Sequence, residues 1–119
     1  QQRVSIARVL IMEPKMLLMD EPFASLDALT RLSMQQLLLK LSTEHNPAIF
    51  FITHDVEEAL MLADRIYIMS SCQSRLQHEI RVPFPKTRSI SLIGNPRFLE
   101  MKSDILRLLF DQKLKKLLR

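Results

Sequence analysis

Glycine is the scarcest informative residue in this 119-residue chain: there is one, Gly94. Loops that wrap backbone N–H groups around a phosphate need several glycines, because the chain must take positive φ and approach the ligand closely. No lysine follows Gly94 in a phosphate-loop pattern. The chain therefore carries no phosphate-binding loop of its own. It has one cysteine, Cys72, so no internal disulfide can form, and a reducing compartment is the simpler expectation. No uncharged apolar run approaches the roughly 20 residues that cross a bilayer. No basic-then-apolar targeting segment is visible at the start. Tryptophan is absent and aromatics make up 6%. The lysines of the last segment lack the interleaved aromatics that stack on nucleic-acid bases, so no nucleic-acid partner is expected. His45 and His78 have no second ligand at metal spacing, which argues against zinc.

What is present suits a folded chain. At 47% hydrophobic and 25% charged residues, it has enough apolar material for a packed core. Its length fits one domain or part of a larger one. The net charge of +4 is placed unevenly. Residues 1–96 hold ten basic and ten acidic side chains, so the excess lies in 97–119, with seven basic against three acidic. Such a tail can attract phosphate surfaces. The blander account is stronger: cations near a helix C-terminus complement its dipole. The seven methionines read as core filler, and Cys72 as an incidental turn residue.

Hydrophobic spacing orders the elements. Val4, Ile6, Ala7, Leu10 and Ile11 predict a helix over 2–12, ended at Glu13-Pro14. Residues 16–19 are a continuous apolar run and predict a strand buried on both faces. Asp27 can cap a helix over about 28–43, with Leu29, Leu32, Leu37, Leu38 and Leu41 as its buried stripe. Asn46-Pro47 marks a turn. Residues 48–52 predict a second buried strand. Asp55 is an N-cap with Glu58 completing a capping-box-like pair, opening a helix to about Ala63. Residues 65–69 predict a third strand. Alternation of Leu76, His78, Ile80 and Val82 predicts a half-exposed antiparallel strand, stopped by Pro83 and Pro85. Residues 84–95 read as loop. Pro96 opens a last helix over 97–118, with Phe98, Ile105, Leu106, Leu109 and Leu117 on its apolar side. Strands alternating with helices imply an α/β fold, with parallel pairing and right-handed crossovers.

Ligands of open α/β sheets bind outside the carboxyl ends of the strands. Two such ends carry reactive groups: Asp20-Glu21 after the first strand and Thr53-His54-Asp55 after the second. If these strands are parallel, Asp20, Glu21 and His54 face one crevice. One carboxylate can hold Mg²⁺ directly or through water, since that cation prefers oxygen ligands. Its neighbour can accept a proton from an attacking water. The histidine can donate to a phosphoryl oxygen. Alone, each feature has a plainer account: an acidic turn, a structural histidine. Their joint spacing shifts the weight toward function.

That spacing resembles a known family. Residues 16–27, Met-Leu-Leu-Met-Asp-Glu-Pro-Phe-Ala-Ser-Leu-Asp, resemble the Walker B motif and D-loop of ABC-transporter ATPases. Phe51-Ile52-Thr53-His54-Asp55, with Val56 to Ala59, resembles their H-loop and the helix after it. Residues 1–10 resemble the segment following the signature motif. The resemblance implies roles residue by residue. Asp20 is the Mg²⁺-associated carboxylate, Glu21 the catalytic base and His54 the γ-phosphate histidine. Ser25, Leu26 and Asp27 form the D-loop that crosses to a second copy. Gln1 and Gln2 lie at the trailing edge of the signature region. ATP and Mg²⁺ are the implied cofactors. The implied partners are a second copy, transmembrane permease subunits and, indirectly, a solute-binding protein, at the cytoplasmic face of the plasma membrane.

The departures from the family pattern are as informative. The Walker A loop, the adenine-stacking aromatic, the Q-loop and the signature core are not in these residues. The chain is therefore expected to be the C-terminal part of a P-loop NTPase domain. Residues 1–70 would belong to its core and 71–119 to a small β-plus-helix appendix. Residues 80–88 and Asn95-Pro96-Arg97-Phe98 resemble the end of nitrate/sulfonate/taurine importer ATPases, although the Pro-Gly usual near residues 70–75 is missing. Two alternatives stand beside the importer subunit: a soluble ABC-type ATPase acting on nucleic acid, and a non-catalytic remnant that binds a partner through an apolar edge.

Overall fold

The computed structural model describes residues 14–69 and 75–118, together with Arg8 and Met12. The expected helix over 2–12, the Gln1-Gln2 pair and the turn holding Cys72 fall outside the described residues. Strand β1 is Met16–Asp20, helix α1 Ala28–His45, strand β2 Ala48–Ile52, helix α2 Val56–Leu62 and strand β3 Arg65–Met69. Strand β4 is Leu76–Arg81, and a 3-10 turn over Ile90–Gly94 leads into helix α3, Pro96–Leu117. The loop expected over 84–95 thus contains that 3-10 turn.

Local chemistry explains the boundaries. The Asp27 carboxylate accepts from the Thr30 backbone N–H at 2.9 Å, satisfying a donor that α1 leaves orphaned at its start. Asn46 closes α1 in the left-handed region, φ 50°, and its N–H donates to the Ser42 carbonyl. Asparagine tolerates that conformation, and Pro47 then prevents the helix from resuming. Asn95 caps α3 by accepting from the N–H groups of Arg97 and Phe98, with Pro96 in the first turn, where its missing N–H costs nothing.

β1 and β2 pair in parallel, from Met16 opposite Ala48 to Asp20 opposite Ile52. The expectation of strands buried on both faces does not hold among the described residues. Leu17 is buried and Met19 and Ile49 half-buried, under Met34 and Leu38 of α1 and beside Phe23. Met16, Leu18, Phe50 and Ile52 are exposed on the opposite face. The reason is that this sheet has two strands and one covering helix layer. The third strand also departs from expectation. β3 pairs with β4, antiparallel, and not with β2.

A second core joins β3 and β4 to the helices. Val56 and Leu60 of α2, Ile66 and Ile68 of β3, Val82, and Phe98, Met101 and Ile105 of α3 form one buried cluster. Phe84 packs on it with its ring 6.0 Å from that of Phe98. Burying a phenylalanine such as Phe98 contributes about 1.5–3 kcal/mol. The helix stripes differ in detail from the spacing. α1 buries Met34, Gln35 and Leu38 and leaves Leu29 exposed. α3 buries Phe98, Met101 and Ile105, while Leu106, Leu109 and Leu117 are exposed. Leu108 still packs on the core cluster, and Gln112 bonds to Gln77 of β4.

Candidate active site

The parallel register sets the carboxyl ends of β1 and β2 side by side. The chain leaves β1 at Glu21, whose φ of 46° lies in the left-handed region. Its N–H donates to the Ile52 carbonyl at 2.7 Å, one last link across the strand ends. Positive φ costs a non-glycine residue on the order of 1–2 kcal/mol. Here it breaks the strand alternation between Asp20, which is exposed, and Glu21, which is half-buried. The Glu21 Oε1 then meets His54 Nε2 at 2.8 Å. The imidazole is 91% exposed, so this is a surface contact that positions the pair weakly and leaves the ring free to turn toward a ligand.

The segment behind His54 is braced. The Asp55 N–H donates to Thr53 Oγ1 at 3.0 Å, and Asp55 Oδ1 accepts from the N–H groups of Glu57 and Glu58. Asp55 is thus the N-cap that the sequence indicates. The capping-box reading of Glu58 fails, because Thr53 takes the N–H that Glu58 would have reached. Glu58 instead lies buried against α1. Its Oε1 has no hydrogen-bond partner among the described residues. Burial raises the Glu58 carboxyl above its usual range and the nearby Asp55 adds to this. Arg31, Gln35 and Thr53 oppose it.

After Glu21 the chain turns tightly, with the Ala24 N–H donating to the Glu21 carbonyl and the Leu26 N–H to that of Phe23. Phe23 is fully buried and anchors the turn. Ser25 is exposed at its tip, and the Asp27 carboxylate is engaged in capping α1. The Thr30 N–H, and then its hydroxyl, hold that carboxyl below its usual range. Arg31 joins the two loops: Nη2 donates to the Leu26 carbonyl at 2.9 Å and Nη1 lies 3.5 Å from Asp55 Oδ2. Sequence reasoning missed Arg31. Its signal, a cation four residues beyond a helix cap on an otherwise apolar face, is common on helices and points nowhere by itself.

Arg88 was also not legible as a structural residue. Its side chain is buried, with Nη1 donating to the carbonyls of Leu60, Met61 and Ala63, Nη2 to Phe84 and Nε to Pro85. It therefore caps the C-terminal end of α2, the helix that Asp55 starts. Burial pulls its guanidinium below the usual range, and Asp64 opposes that.

The structure thus brings Glu21 and His54 into contact and sets Asp20 beside them in the chain. Ser25 and Asp27 sit along the following turn, and Gln1 and Gln2 lie outside the described residues. Two adjacent carboxylates are hard oxygen donors, and an exposed imidazole can donate to an anionic oxygen. Among the described residues, no group of three or more His, Cys, Asp or Glu side chains is placed to hold a metal ion. The donor chemistry fits one side of a Mg²⁺–triphosphate site. It does not enclose one.

No protein-family model matches the chain. Similar proteins are nevertheless found over most of its length. The aliphatic sulfonates import ATP-binding protein SsuB 1 of Pseudomonas fluorescens is 47% identical over 108 residues, 91% of this chain and 40% of that protein. An SsuB 2 of Pseudomonas savastanoi pv. phaseolicola is 47% identical over 91% of this chain and 38% of its own length. The taurine import ATP-binding protein TauB of Jannaschia sp. is 43% identical over 95% of this chain and 44% of its own length. The chain spans about two-fifths of the relatives it matches. Across some nine-tenths of its residues, the chain is a homologue of the ATP-binding subunits of ABC importers of the aliphatic-sulfonate and taurine type.

Proposed function

We propose that this chain is the C-terminal part of the ATP-hydrolysing subunit of an ABC importer, with residues 1–70 in the ATPase core and 71–119 forming its extension. The observation that carries the reading is the Glu21–His54 contact at the joined carboxyl ends of two parallel strands. The identity of 43–47% with sulfonate and taurine import subunits supports it. The transported solute is then a small anion or zwitterion such as an aliphatic sulfonate, taurine or nitrate. Two copies work together against transmembrane permease subunits at the cytoplasmic membrane face, supplied by a solute-binding protein. No helix among the described residues is long and apolar enough to cross a membrane.

Bound ATP supplies the γ-phosphoryl group whose transfer to water releases the energy. The chain's own groups have separate tasks. The Glu21 carboxylate orients the attacking water and takes its proton. His54 Nε2 turns from Glu21 and donates to a terminal phosphoryl oxygen. Asp20 offers its oxygens to Mg²⁺, directly or through water. Ser25, Leu26 and Asp27, held in place by Phe23 and Arg31, present a rigid turn to the second copy's site, and Gln1 and Gln2 border the signature region. The phosphate-cradling loop must come from residues outside this chain, since one glycine cannot build it.

The test is Glu21→Gln in the polypeptide that also carries the remaining three-fifths of the subunit. We expect steady-state hydrolysis to fall by about 10²–10⁴-fold, the range typical of a lost general base, with ATP binding retained. Hydrolysis within tenfold of the parent would remove Glu21 from its role. A second reading, a non-catalytic remnant, is favoured for the chain by itself by that lone glycine. Micromolar ATP affinity of the purified chain would exclude it.

A further inference from the structure

Helix α3 carries two apolar faces, and the protein covers one of them. Phe98, Met101 and Ile105 are buried, Leu108 rests against their cluster, and Gln112 bonds to Gln77 of β4. Leu99, Leu106, Phe110, Leu114 and Leu117 are spaced by three, four or seven residues, which aligns them along another side of the helix. All five are exposed, Phe110 at 65% and Leu117 at 74%, and none belongs to either buried core. A helix that needed only its packed face would carry polar residues there.

The charges beside this second stripe have one sign. Residues 106–117 hold Arg107, Lys113, Lys115 and Lys116 against a single acid, Asp111. Earlier in the helix the cations are engaged: Arg97 lies 3.3 Å from Glu100 and Lys102 2.9 Å from Glu57. The four later cations have no carboxylate partner among the described residues. The helix dipole accounts for Lys115 and Lys116 in the last turn. It does not account for Arg107 and Lys113, nor for apolar side chains left in water between them.

We propose that residues 106–117 of α3 dock on a bilayer surface containing anionic phospholipid. Leu106, Phe110, Leu114 and Leu117 enter the boundary between headgroups and acyl chains, and the cations reach the phosphates on long apolar stems. Charge decides among the possible occupants. A second copy laid along the stripe would set these cations against the same cations, and like charges brought together oppose association. An anionic partner is required. Three of the four cations are lysines, which are depleted in protein–protein interfaces, whereas diffuse headgroup charge suits them. The convex side of one helix also offers a flat, deformable surface more than it offers a protein anchor a pocket. This goes beyond the import reading, in which permease subunits hold the protein at the membrane, and it does not depend on ATP hydrolysis.

The experiment is flotation of the purified chain, without nucleotide, with vesicles of phosphatidylcholine alone or with about 30% phosphatidylglycerol. Binding to the anionic vesicles is expected, and it should weaken about tenfold or more when salt rises from about 0.1 to 1 M. Replacing Lys113, Lys115 and Lys116 together by glutamine should weaken it about a hundredfold. Phe110→Ser, with every charge kept, should weaken it about tenfold or more. These side chains are exposed, so far-UV circular dichroism and urea midpoints should match the parent. Phe50→Ser, on the exposed face of the β1–β2 sheet, is the control for unspecific apolar adhesion and should change binding less than about twofold. Equal binding to the neutral vesicles overturns the proposal, as does a Phe50→Ser loss as large as that of Phe110→Ser. Binding to polyglutamate but not to vesicles overturns it too and assigns the stripe to an acidic protein surface. Vesicle binding as expected, with hydrolysis unaffected by Glu21→Gln in the longer polypeptide, would sink the catalytic reading alone.

Discussion

Replacing Arg88 tests whether a single buried cation organises the region that carries His54. The side chain is 1% exposed and reaches five carbonyls, those of Leu60, Met61, Ala63, Phe84 and Pro85, at 2.7–3.3 Å. Three of these belong to the last turn of α2 and the residue that ends it. Their carbonyls have no intrahelical donor. A hydrogen bond to a charged donor contributes about 1.5–3 kcal/mol, but three acceptors share one nitrogen and the contributions do not add. Recovering the desolvation cost of the guanidinium offsets part of the loss. Leaving two or three carbonyls unsatisfied at 1–3 kcal/mol each puts Arg88→Met near a loss of about 3 kcal/mol. Arg88→Lys keeps one cationic donor without the fork and should lose about 2 kcal/mol. With a urea m-value of about 2 kcal/mol/M, the methionine variant should unfold about 1.5 M earlier by far-UV circular dichroism. Asp64→Asn is the control: its carboxylate is 69% exposed and 3.6 Å from Arg88, so its loss should shift stability by less than about 0.5 kcal/mol. An Arg88→Met midpoint within about 0.3 M of the parent would refute the capping argument.

The acidic groups supply two further outcomes. Glu58 holds its proton more tightly folded than unfolded, so the folded state binds more protons above the usual value of 4.5. Stability must then fall as pH rises from that value toward the raised one, with the cost complete above it. Glu58→Gln should flatten this slope and stabilise the chain at neutral pH by about 1 kcal/mol, read from urea midpoints across pH 4–8. An unchanged slope would show that another group carries the pH dependence. Glu21→Asn addresses backbone strain. Asparagine adopts positive φ more readily, so this variant should gain about 0.5–1 kcal/mol of stability while losing the carboxylate proposed above as the general base. A loss of stability would mean that the His54 contact outweighs the strain at φ 46°.

Much of this architecture could be read from short-range signals. Asp27 and Asp55 each cap the helix their position announces, because capping involves only neighbours two or three residues away. The parallel pairing of β1 and β2 follows from two apolar runs with a helix between them. Exposure was read less well. Continuous apolar runs mean two covered faces only when two layers exist to cover them. Met16, Leu18, Phe50 and Ile52 have the composition of buried residues and the surroundings of exposed ones. The failed capping box at Glu58 has a different origin: Thr53 competes for the same N–H, and that competition depends on the turn after β2.

The site shows the same division between local and long-range information. Asp20, Glu21 and His54 stand out because strand ends in an α/β pattern are where chemistry concentrates. Their meeting depends on register. A pairing shifted by one residue would move Glu21 away from the end of β2 and break its link to the Ile52 carbonyl. Register here is held by Leu17 opposite Ile49 and Met19 opposite Phe51, on the face that α1 covers. Helix α1 is in turn tied to the loop after β2 through Arg31 and Asp55. The helix that covers the sheet is therefore also the element that keeps its two strand ends together. Arg31 could not be found from the sequence for that reason: its role exists only once the strands, the turn at Leu26 and the cap at Asp55 have been assembled around it.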